Sequence, residues 1–209
     1  MNSTLEMAND LRRRLSSLDD ASLDLLFREG RSHNGWHARP VSQSLLEELW
    51  ALAQFAPTSV NCMPARLVFV TSDAGKQRLQ PCLSPGNVEK VLSAPVTVII
   101  GFDMDFWQQL PRLFPHADVR DMFRNDPVAS EECALRNSCL QAAWLMLAAR
   151  GLGLDCGPMS GFDSQAVDEA FFAGSTVRSN FLCNLGYGDA SKLHQRLPRL
   201  SFDEVCTFA

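Results

Sequence analysis

Several features that define common functional classes are missing from this sequence. Its net charge is −5 at pH 7, so the chain as a whole lacks the positive charge that nucleic-acid-binding proteins usually carry. No apolar run reaches the roughly 18 residues that a membrane-spanning helix requires. The N-terminus also lacks the apolar core of a signal peptide. We therefore expect a cytoplasmic protein with no nucleic-acid or membrane partner.

The seven cysteines and four histidines also lack the spacing of familiar motifs. No two cysteines form C-x-x-C and no histidines form H-E-x-x-H, so the sequence predicts no metal site. The glycine fingerprint of a Rossmann nucleotide-binding unit is absent as well. Cys62 follows a loop of small residues and Cys156 precedes Gly157. These two thiols leave a reactive-cysteine enzyme open as a weaker hypothesis.

The sequence does contain the composition of one globular domain with a real core. Of its 209 residues, 46% are apolar and 21% are charged. No internal repeat or long linker divides residues 1–209. Apolar periodicity predicts helices within 3–29, from Ser42 to Pro57, and within 73–82, 87–92, 126–150 and 163–172, with buried strands at 66–71, 96–100 and 180–186.

A glycine-rich connector at residues 151–163 follows the longest predicted helix. Gly161 has no side chain, so a flat ligand could lie against its backbone N–H. Taken alone, such a connector more often only turns the chain. Asn87 and Lys90 are three residues apart on a predicted helix, so their polar groups can converge on one face.

Three further segments carry candidate binding groups. Residues 31–36 place a guanidinium, a hydroxyl and an imidazole close together, which suits an anion. Residues 57–64 form a loop between two prolines that is rich in small hydrogen-bonding side chains. Residues 104–126 mix aromatic and basic side chains, a pattern that fits either a mobile cover over a pocket or a surface helix.

In this order, these segments resemble the flavin-dependent nitroreductase family from about Leu23 onward. The resemblance is carried by residues 31–33, 57–61, 87 with 90, 158–163 and 199–202. Within the family, residues 31–36, 113–116, 157–163 and 196–202 resemble most closely the branch that reduces malonic semialdehyde.

The resemblance implies an α+β fold with a central mixed, mostly antiparallel sheet flanked by helices. It implies an intertwined homodimer with one FMN in each of two interface clefts, and a C-terminus that adds to the partner's sheet. The implied reaction is hydride transfer from NADH or NADPH through the flavin to an electron-poor substrate, here malonic semialdehyde, which becomes 3-hydroxypropionate. A broad nitroaromatic or quinone reductase and a non-catalytic flavin-binding dimer remain as alternatives.

The same resemblance implies roles for individual residues. Arg31, Ser32, His33 and Arg199 would hold the FMN phosphate and ribityl chain, with Arg196 as a further candidate. Asn87, Lys90, Ser160 and Gly161 would contact the flavin ring system, and Pro57, Thr58, Ser59 and Asn61 would approach it from the other subunit. Arg112, Arg120 and Arg124 are candidates for a substrate carboxylate. Many family members carry an acidic residue at the position of Ser160 and a basic one at that of Gly35, so the sequence departs from the family there.

Overall fold

The structure, a computed structural model, describes residues 4–14 and 17–209. Residues 3, 15 and 16 of the first predicted helical region lie outside this range. The α-helices are α1 (Thr4–Arg14), α2 (Asp20–Leu23), α3 (Gln43–Ala53), α4 (Asp73–Leu79), α5 (Pro85–Ser93), α6 (Leu110–Leu113), α7 (Asp121–Arg124), α8 (Pro127–Gly151), α9 (Ser164–Phe171) and α10 (Phe202–Val205). Shorter helical turns lie at Asp24–Arg28, Ser59–Asn61, Gln80–Cys82, Phe106–Gln109 and Ala190–Lys192. None of the described helices is long and apolar enough to cross a membrane.

The strands β1 (Ala65–Val70), β2 (Val96–Asp103), β3 (Asp155–Met159) and β4 (Val177–Gly186) form a sheet in the order β1-β2-β4-β3. Each neighbouring pair of these strands is antiparallel. Parallel pairing in the described residues is limited to an isolated bridge between Ser32 and Cys156. The predicted fold class, a mostly antiparallel sheet flanked by helices, is confirmed.

The core has a layer on each face of the sheet. Successive side chains of β2 point to opposite faces. Val98 and Ile100 therefore pack with Leu49 of α3 and Leu145 of α8, while Ile99 packs with residues of α4, α5 and α9. Because both of its faces are covered, β2 is a nearly continuous run of apolar residues, as a buried strand requires.

Helix α8 is the longest element, and its N-terminus is capped. The Asp126 carboxylate accepts hydrogen bonds from the backbone N–H of Val128 and Ala129, and Pro127 occupies the first helical position. One side of α8 is buried against the sheet. The other side leaves Leu140 and Trp144 more than 40% exposed, so the helix is less completely covered within one chain than its apolar sequence suggests.

Two local predictions are wrong. Strand β3 was not predicted, because Gly157 and Pro158 interrupt the apolar run. Proline is tolerated there because β3 lies at the edge of the sheet, where a missing N–H breaks no ladder. Helix α5 begins at Pro85, two residues before the predicted start at residue 87, since proline fits the first turn of a helix.

Candidate functional site

An open cavity of about 520 Å³ lies where the C-terminal end of α8 meets the segment after residue 28 and the C-terminal tail. Four arginines line it, together with Gly30, Ser32 and other residues, and no acidic side chain from the described residues does so. We call it the arginine cavity. A planar guanidinium matches the oxygens of a phosphate, so this cavity suits an anion. Its arginines are Arg31, Arg150, Arg196 and Arg199.

The arginines of this cavity are held mainly by backbone carbonyls. Arg31 donates to the carbonyl of His194. Arg199 donates to the carbonyls of Leu197 and Pro198, at 3.0 and 3.1 Å. Such contacts orient a guanidinium but leave its charge uncompensated, which keeps it available for an anion.

Arg196 differs because it already has a carboxylate partner. Its Nη2 lies 3.2 Å from Glu29 Oε2. Both side chains are well exposed, so this ion pair is weak and an anion could compete for the guanidinium. The structure therefore brings together the predicted phosphate residues Arg31, Ser32, Arg196 and Arg199, although they come from opposite ends of the chain.

Residues 31–33 reach the cavity because they run along the outer edge of β3. Ser32 forms the parallel bridge with Cys156, and the backbone N–H of His33 donates to the Cys156 carbonyl at 2.9 Å. The imidazole of His33 is buried, with Nε2 3.3 Å from Asp155 Oδ1. A Cβ at position 188 would come within 1.8 Å of His33 Nδ1, so Gly188 makes room for the ring.

The role of His33 as a direct ligand of the FMN stays a prediction. Its ring is not among the groups that line the arginine cavity. Burial lowers the pKa of His33, the charges of Arg31 and Arg150 lower it further, and Asp155 opposes them. Nδ1 has no hydrogen-bond partner among the described residues. The backbone of His33, through its bond to Cys156, holds this segment against β3.

Asn87 and Gly161 meet at a second place. Asn87 Nδ2 donates to the Gly161 carbonyl at 2.9 Å, and the backbone N–H of Ser84 donates to the same oxygen at 3.1 Å. A Cβ on residue 161 would lie 2.6 Å from Asn87 Nδ2, so this close approach needs glycine. Ser160 precedes it and is exposed.

Lys90 lies one turn after Asn87 on α5, as predicted. Its backbone carbonyl accepts a hydrogen bond from Asn184 Nδ2 at 3.0 Å, and Asn184 is fully buried in β4. This bond ties α5 to the sheet. It therefore holds the Asn87–Gly161 contact in a constant position relative to the core.

The Pro57–Pro64 loop is anchored to the middle of α8 by two buried amides. The backbone N–H of Ser59 donates to Asn137 Oδ1 at 2.8 Å, and that of Ala65 donates to Gln141 Oε1 at 2.9 Å. Asn137 and Gln141 are almost completely buried. A buried amide that receives a backbone N–H fixes the path of the loop.

The same loop carries unusual backbone geometry. Val60, Asn61 and Met63 have φ values of 48°, 51° and 41°. Positive φ is uncommon outside glycine and strained for a β-branched residue, so the surrounding contacts must hold it. Pro57, Ser59 and Asn61 are exposed and Thr58 is half-buried. The loop therefore presents polar groups outward from a rigid base.

This loop and the arginine cavity are far apart within one chain. Their contacts on α8, Asn137 and Arg150, are thirteen residues apart. At 1.5 Å of rise per residue this separation is roughly 20 Å. The loop and the cavity of a single chain therefore do not contact the same small ligand.

The region from 104 to 126 is made of short helical segments packed on the core. Phe106 is fully buried and meets Phe123 edge-to-face, with ring centroids 4.9 Å apart. Asn61 Nδ2 donates to the Leu113 carbonyl at 2.9 Å and so links this region to the Pro57–Pro64 loop. The region is more firmly packed than the predicted mobile cover.

The three basic candidates in this region differ in charge compensation. Arg120 pairs with Asp118 at 2.5 Å, and Arg124 pairs with Asp121 at 2.8 Å. Arg112 contacts only the Gln109 side-chain oxygen, at 3.4 Å, within the described residues. Its guanidinium therefore retains an uncompensated charge.

The cysteine hypothesis finds no support in the geometry. Cys62 is buried and its thiol donates to Cys133, which together with burial raises the pKa of Cys62 far above its usual range. The same contact lowers the pKa of Cys133 to about 7. Cys156 is also buried and contacts the Met146 carbonyl at 3.7 Å. Neither predicted thiol is placed as an accessible nucleophile.

Sequence reasoning missed the placement of two further cations, of which Arg150 lines the cavity. Arg150 occupies a position in the apolar helical pattern of α8, so nothing local marks it as a ligand-binding residue. Lys192 runs its aliphatic stem across Gly35: a Cβ at position 35 would lie 2.6 Å from Lys192 Cγ. Only the tertiary structure reveals these placements, since each joins distant parts of the chain.

Comparison with known proteins places these features in a family context. The model of the nitroreductase family matches residues 28–187. A protein of Exiguobacterium sibiricum, assigned as a nitroreductase and solved in complex with FMN, is 23% identical; the match covers 93% of this chain and 99% of that one, with a TM-score of 0.80. An assigned NAD(P)H:FMN oxidoreductase of Staphylococcus epidermidis is 20% identical (93% and 98% covered; TM-score 0.80). An assigned nitroreductase of Bacillus subtilis is 22% identical (91% and 100% covered; TM-score 0.79). These structures share the fold of this chain.

Proposed function

The chain belongs to the nitroreductase family of FMN-dependent, NAD(P)H-using oxidoreductases, and we propose that this member reduces malonic semialdehyde to 3-hydroxypropionate. The observation that carries the flavin assignment is the pairing of an arginine-lined anion cavity with the Asn87–Gly161 contact. The substrate assignment rests on the sequence resemblance at residues 31–36, 113–116, 157–163 and 196–202.

The residues of the chain fit FMN on chemical grounds. The phosphate suits the guanidinium groups of the arginine cavity, and Ser32 adds a hydroxyl donor. The absence of a side chain at Gly161 lets the Asn87 amide approach its backbone closely, so that both groups could contact the same flat ring. The chemistry that FMN supplies when bound is the transfer of a hydride from NAD(P)H to an electron-poor substrate.

The side chains of this protein would bind the phosphate of FMN, orient its ring system and favour negative charge on it. Arg31 and Arg199 would hold the phosphate, and Asn87 would present its amide toward the pyrimidine edge of the ring. The positive charge of Lys90 favours negative charge on that ring system. His33 and Gly188 keep the 31–33 segment against β3, and so keep Arg31 in place.

A second copy of the chain would complete the site. The surface of α3 and α8 leaves Leu52, Phe55 and Trp144 exposed by 47%, 72% and 43%, around an apolar cavity of about 460 Å³. Exposed apolar area of this kind is typical of a protein interface. In a dimer, the Pro57–Pro64 loop of one copy would approach the flavin held by the other.

The C-terminal tail supports the same arrangement. Its apolar side chains have little cover: Phe208 is 89% exposed, and Leu197 and Leu200 are at least 70% exposed. The outer edge of β1 has no strand partner in the described residues, and an apolar cavity of about 550 Å³ lies between it and α3. We propose that the tail of one copy covers this edge of the other.

Arg112 would provide the cation for the substrate carboxylate. It is the member of the three basic candidates that lacks a carboxylate partner among the described residues. Its neighbour Leu113 accepts the hydrogen bond from Asn61, which places Arg112 beside the loop that would face the flavin. A small aldehyde with a carboxylate would gain a charge-assisted hydrogen bond there.

The test compares aldehyde and nitro substrates in matched variants. Arg112→Gln should lower kcat/KM for malonic semialdehyde about tenfold, the size of one charge-assisted hydrogen bond, and leave an uncharged nitrofuran unaffected. Arg124→Gln, which removes a guanidinium already paired with Asp121, should change neither rate. Turnover of the nitrofuran with no aldehyde rate above background would favour the broad nitroreductase alternative. If the flavin keeps its colour when NADH and NADPH are added without oxygen, the non-catalytic alternative would be favoured.

A further inference from the structure

We propose that Arg150 and Gly30 act together as the inner wall of the arginine cavity, where Arg150 binds the terminal phosphate of FMN. The inference rests on the proposed function, because it names a ligand of the same site. Neither residue belongs to the segments that carry the family resemblance, and the role of Arg150 follows from its place in the fold.

The guanidinium of Arg150 lies directly on the backbone of Gly30. A Cβ at position 30 would come within 1.4 Å of Arg150 Nη2, 1.8 Å of Cζ and 2.0 Å of Nη1. Any larger residue would therefore force the whole guanidinium to move, not merely one flexible atom. Arg150 Nη1 also donates to the Leu26 carbonyl at 2.6 Å. These two contacts fix a side chain that reaches the cavity from the last turn of α8.

The charge of Arg150 has no counter-ion within the part of the chain that the structure describes. Other arginines, such as Arg28, Arg66 and Arg178, each pair with a carboxylate. Arg150 is half-buried and uses one of its five N–H donors on Leu26. A partly desolvated cation without an anionic partner is unfavourable, and the other arginines of the cavity add repulsion.

An anion in the cavity removes both costs. A phosphate monoester carries up to two negative charges and can accept several hydrogen bonds. Its oxygens could meet the free donors of Arg150 together with those of Arg31 and Arg199, which line the same cavity. Arg150 and Arg31 are both half-buried, so the contribution of Arg150 would be less screened by solvent than that of the exposed Arg199.

The competing explanation is structural. The bond to the Leu26 carbonyl joins α8 to the helical turn Asp24–Arg28, and this alone could account for an arginine at position 150. The two explanations differ in one measurable respect. A phosphate ligand matters for FMN and not for riboflavin, which has the same ring and ribityl chain without the phosphate. A structural residue affects both flavins alike.

The experiment measures dissociation constants of FMN and riboflavin for the purified full-length protein, by quenching of flavin fluorescence. Arg150→Gln should reduce the preference for FMN over riboflavin about tenfold, while riboflavin affinity stays within about twofold. Arg150→Lys should give a smaller loss, because the charge remains but the fork does not. This milder variant decides the question if the glutamine variant does not fold.

Gly30→Ala supplies an independent test, since it leaves Arg150 intact but displaces its guanidinium. It should lower the FMN preference in the same direction, and combining it with Arg150→Gln should add little. Arg28→Gln is the control, because Arg28 lies in the neighbouring turn but pairs with Asp20 and Asp24. Equal losses for both flavins, or none for either, would overturn the assignment of Arg150. Failure of the unaltered protein to bind FMN would instead overturn the proposed function.

Discussion

Two regions along helix α8 are built in opposite ways. At its C-terminal end, Arg150 joins an open cavity of cationic side chains that, except for Arg196, are held by backbone carbonyls. At its middle, Asn137 and Gln141 are buried and hold a strained loop through hydrogen bonds to backbone N–H groups. The charges of the first region are poorly compensated until an anion arrives. In the second region the loop N–H groups already have partners within one chain, although Gln141 Nε2 has none among the described residues.

This contrast separates binding from stability. Changes in the arginine cavity should weaken binding of a phosphate-containing ligand and leave the free energy of unfolding nearly unchanged. Changes at the buried amides should lower the free energy of unfolding before any ligand is added. The variants below test this division, beginning with the largest expected effect.

Asn137→Ala should lower the free energy of unfolding by about 3 kcal/mol, because it leaves the Ser59 N–H unsatisfied and opens a cavity. Urea denaturation without added ligand measures the effect. Gln165→Ala is the matched control: its amide bonds Glu169 on the exposed face of α9, so the change should be within about 0.5 kcal/mol. A loss below 1 kcal/mol for Asn137→Ala, on the order of an ordinary surface change, would break the contrast.

Arg31→Gln should lower FMN affinity about tenfold and spare riboflavin, because only the phosphate loses a charged partner. The free energy of unfolding should change by less than about 0.5 kcal/mol, since among the described residues the Arg31 side chain bonds one carbonyl, that of His194. Titration calorimetry with each flavin and urea denaturation supply the two readouts. If the variant is destabilised but keeps its preference for FMN, the cavity at this end of α8 would have a structural role and not a ligand-binding one.

Gly161→Ala should weaken FMN and riboflavin equally, by about fivefold, because the new Cβ displaces the Asn87 amide from a site that contacts the ring and not the phosphate. Gly86→Ala is the control on the same helix as Asn87: a Cβ there meets nothing within 4 Å. Alanine is the better helix former, so this control should gain up to about 1 kcal/mol of stability. A selective loss of FMN in Gly161→Ala would place the phosphate, not the ring, at Gly161.

The smallest expected effect is a pH dependence from His33. Its pKa is lowered in the folded state, so the unfolded chain takes up the proton first as pH falls, and stability declines below about pH 6.5. Between about pH 7 and pH 6 the loss should be on the order of 0.5 kcal/mol. His33→Gln should flatten this slope relative to the unaltered protein. An unchanged slope would mean that other groups cause it.

The sequence predicted those elements whose pattern is local. The predicted helix starts at residues 42, 126 and 163 are confirmed, since Ser42, Asp126 and Asp163 accept hydrogen bonds from the first turns of their helices. The buried strand around Val98 is confirmed by its complete burial. Strand β3 escaped prediction because Pro158 is acceptable only at a sheet edge, and the strand order is not written in a local pattern.

The candidate site divides in the same way. The 31–33 and 196–199 segments could be recognised as anion-binding from their residue types alone. Arg150 could not, because its role depends on Gly30, which is distant along the chain and carries no side chain to mark it. His33 has the right chemistry for a ligand, but its ring is buried beside Asp155, a placement that depends on contacts with β3.

The most direct test is a crystal structure of the protein grown with FMN. The account predicts a homodimer in which the FMN phosphate lies among Arg31, Arg150 and Arg199 of one chain. It also predicts that the Pro57–Pro64 loop of the other chain contacts the same flavin. A monomer, or FMN bound with its phosphate outside the arginine cavity, would contradict it.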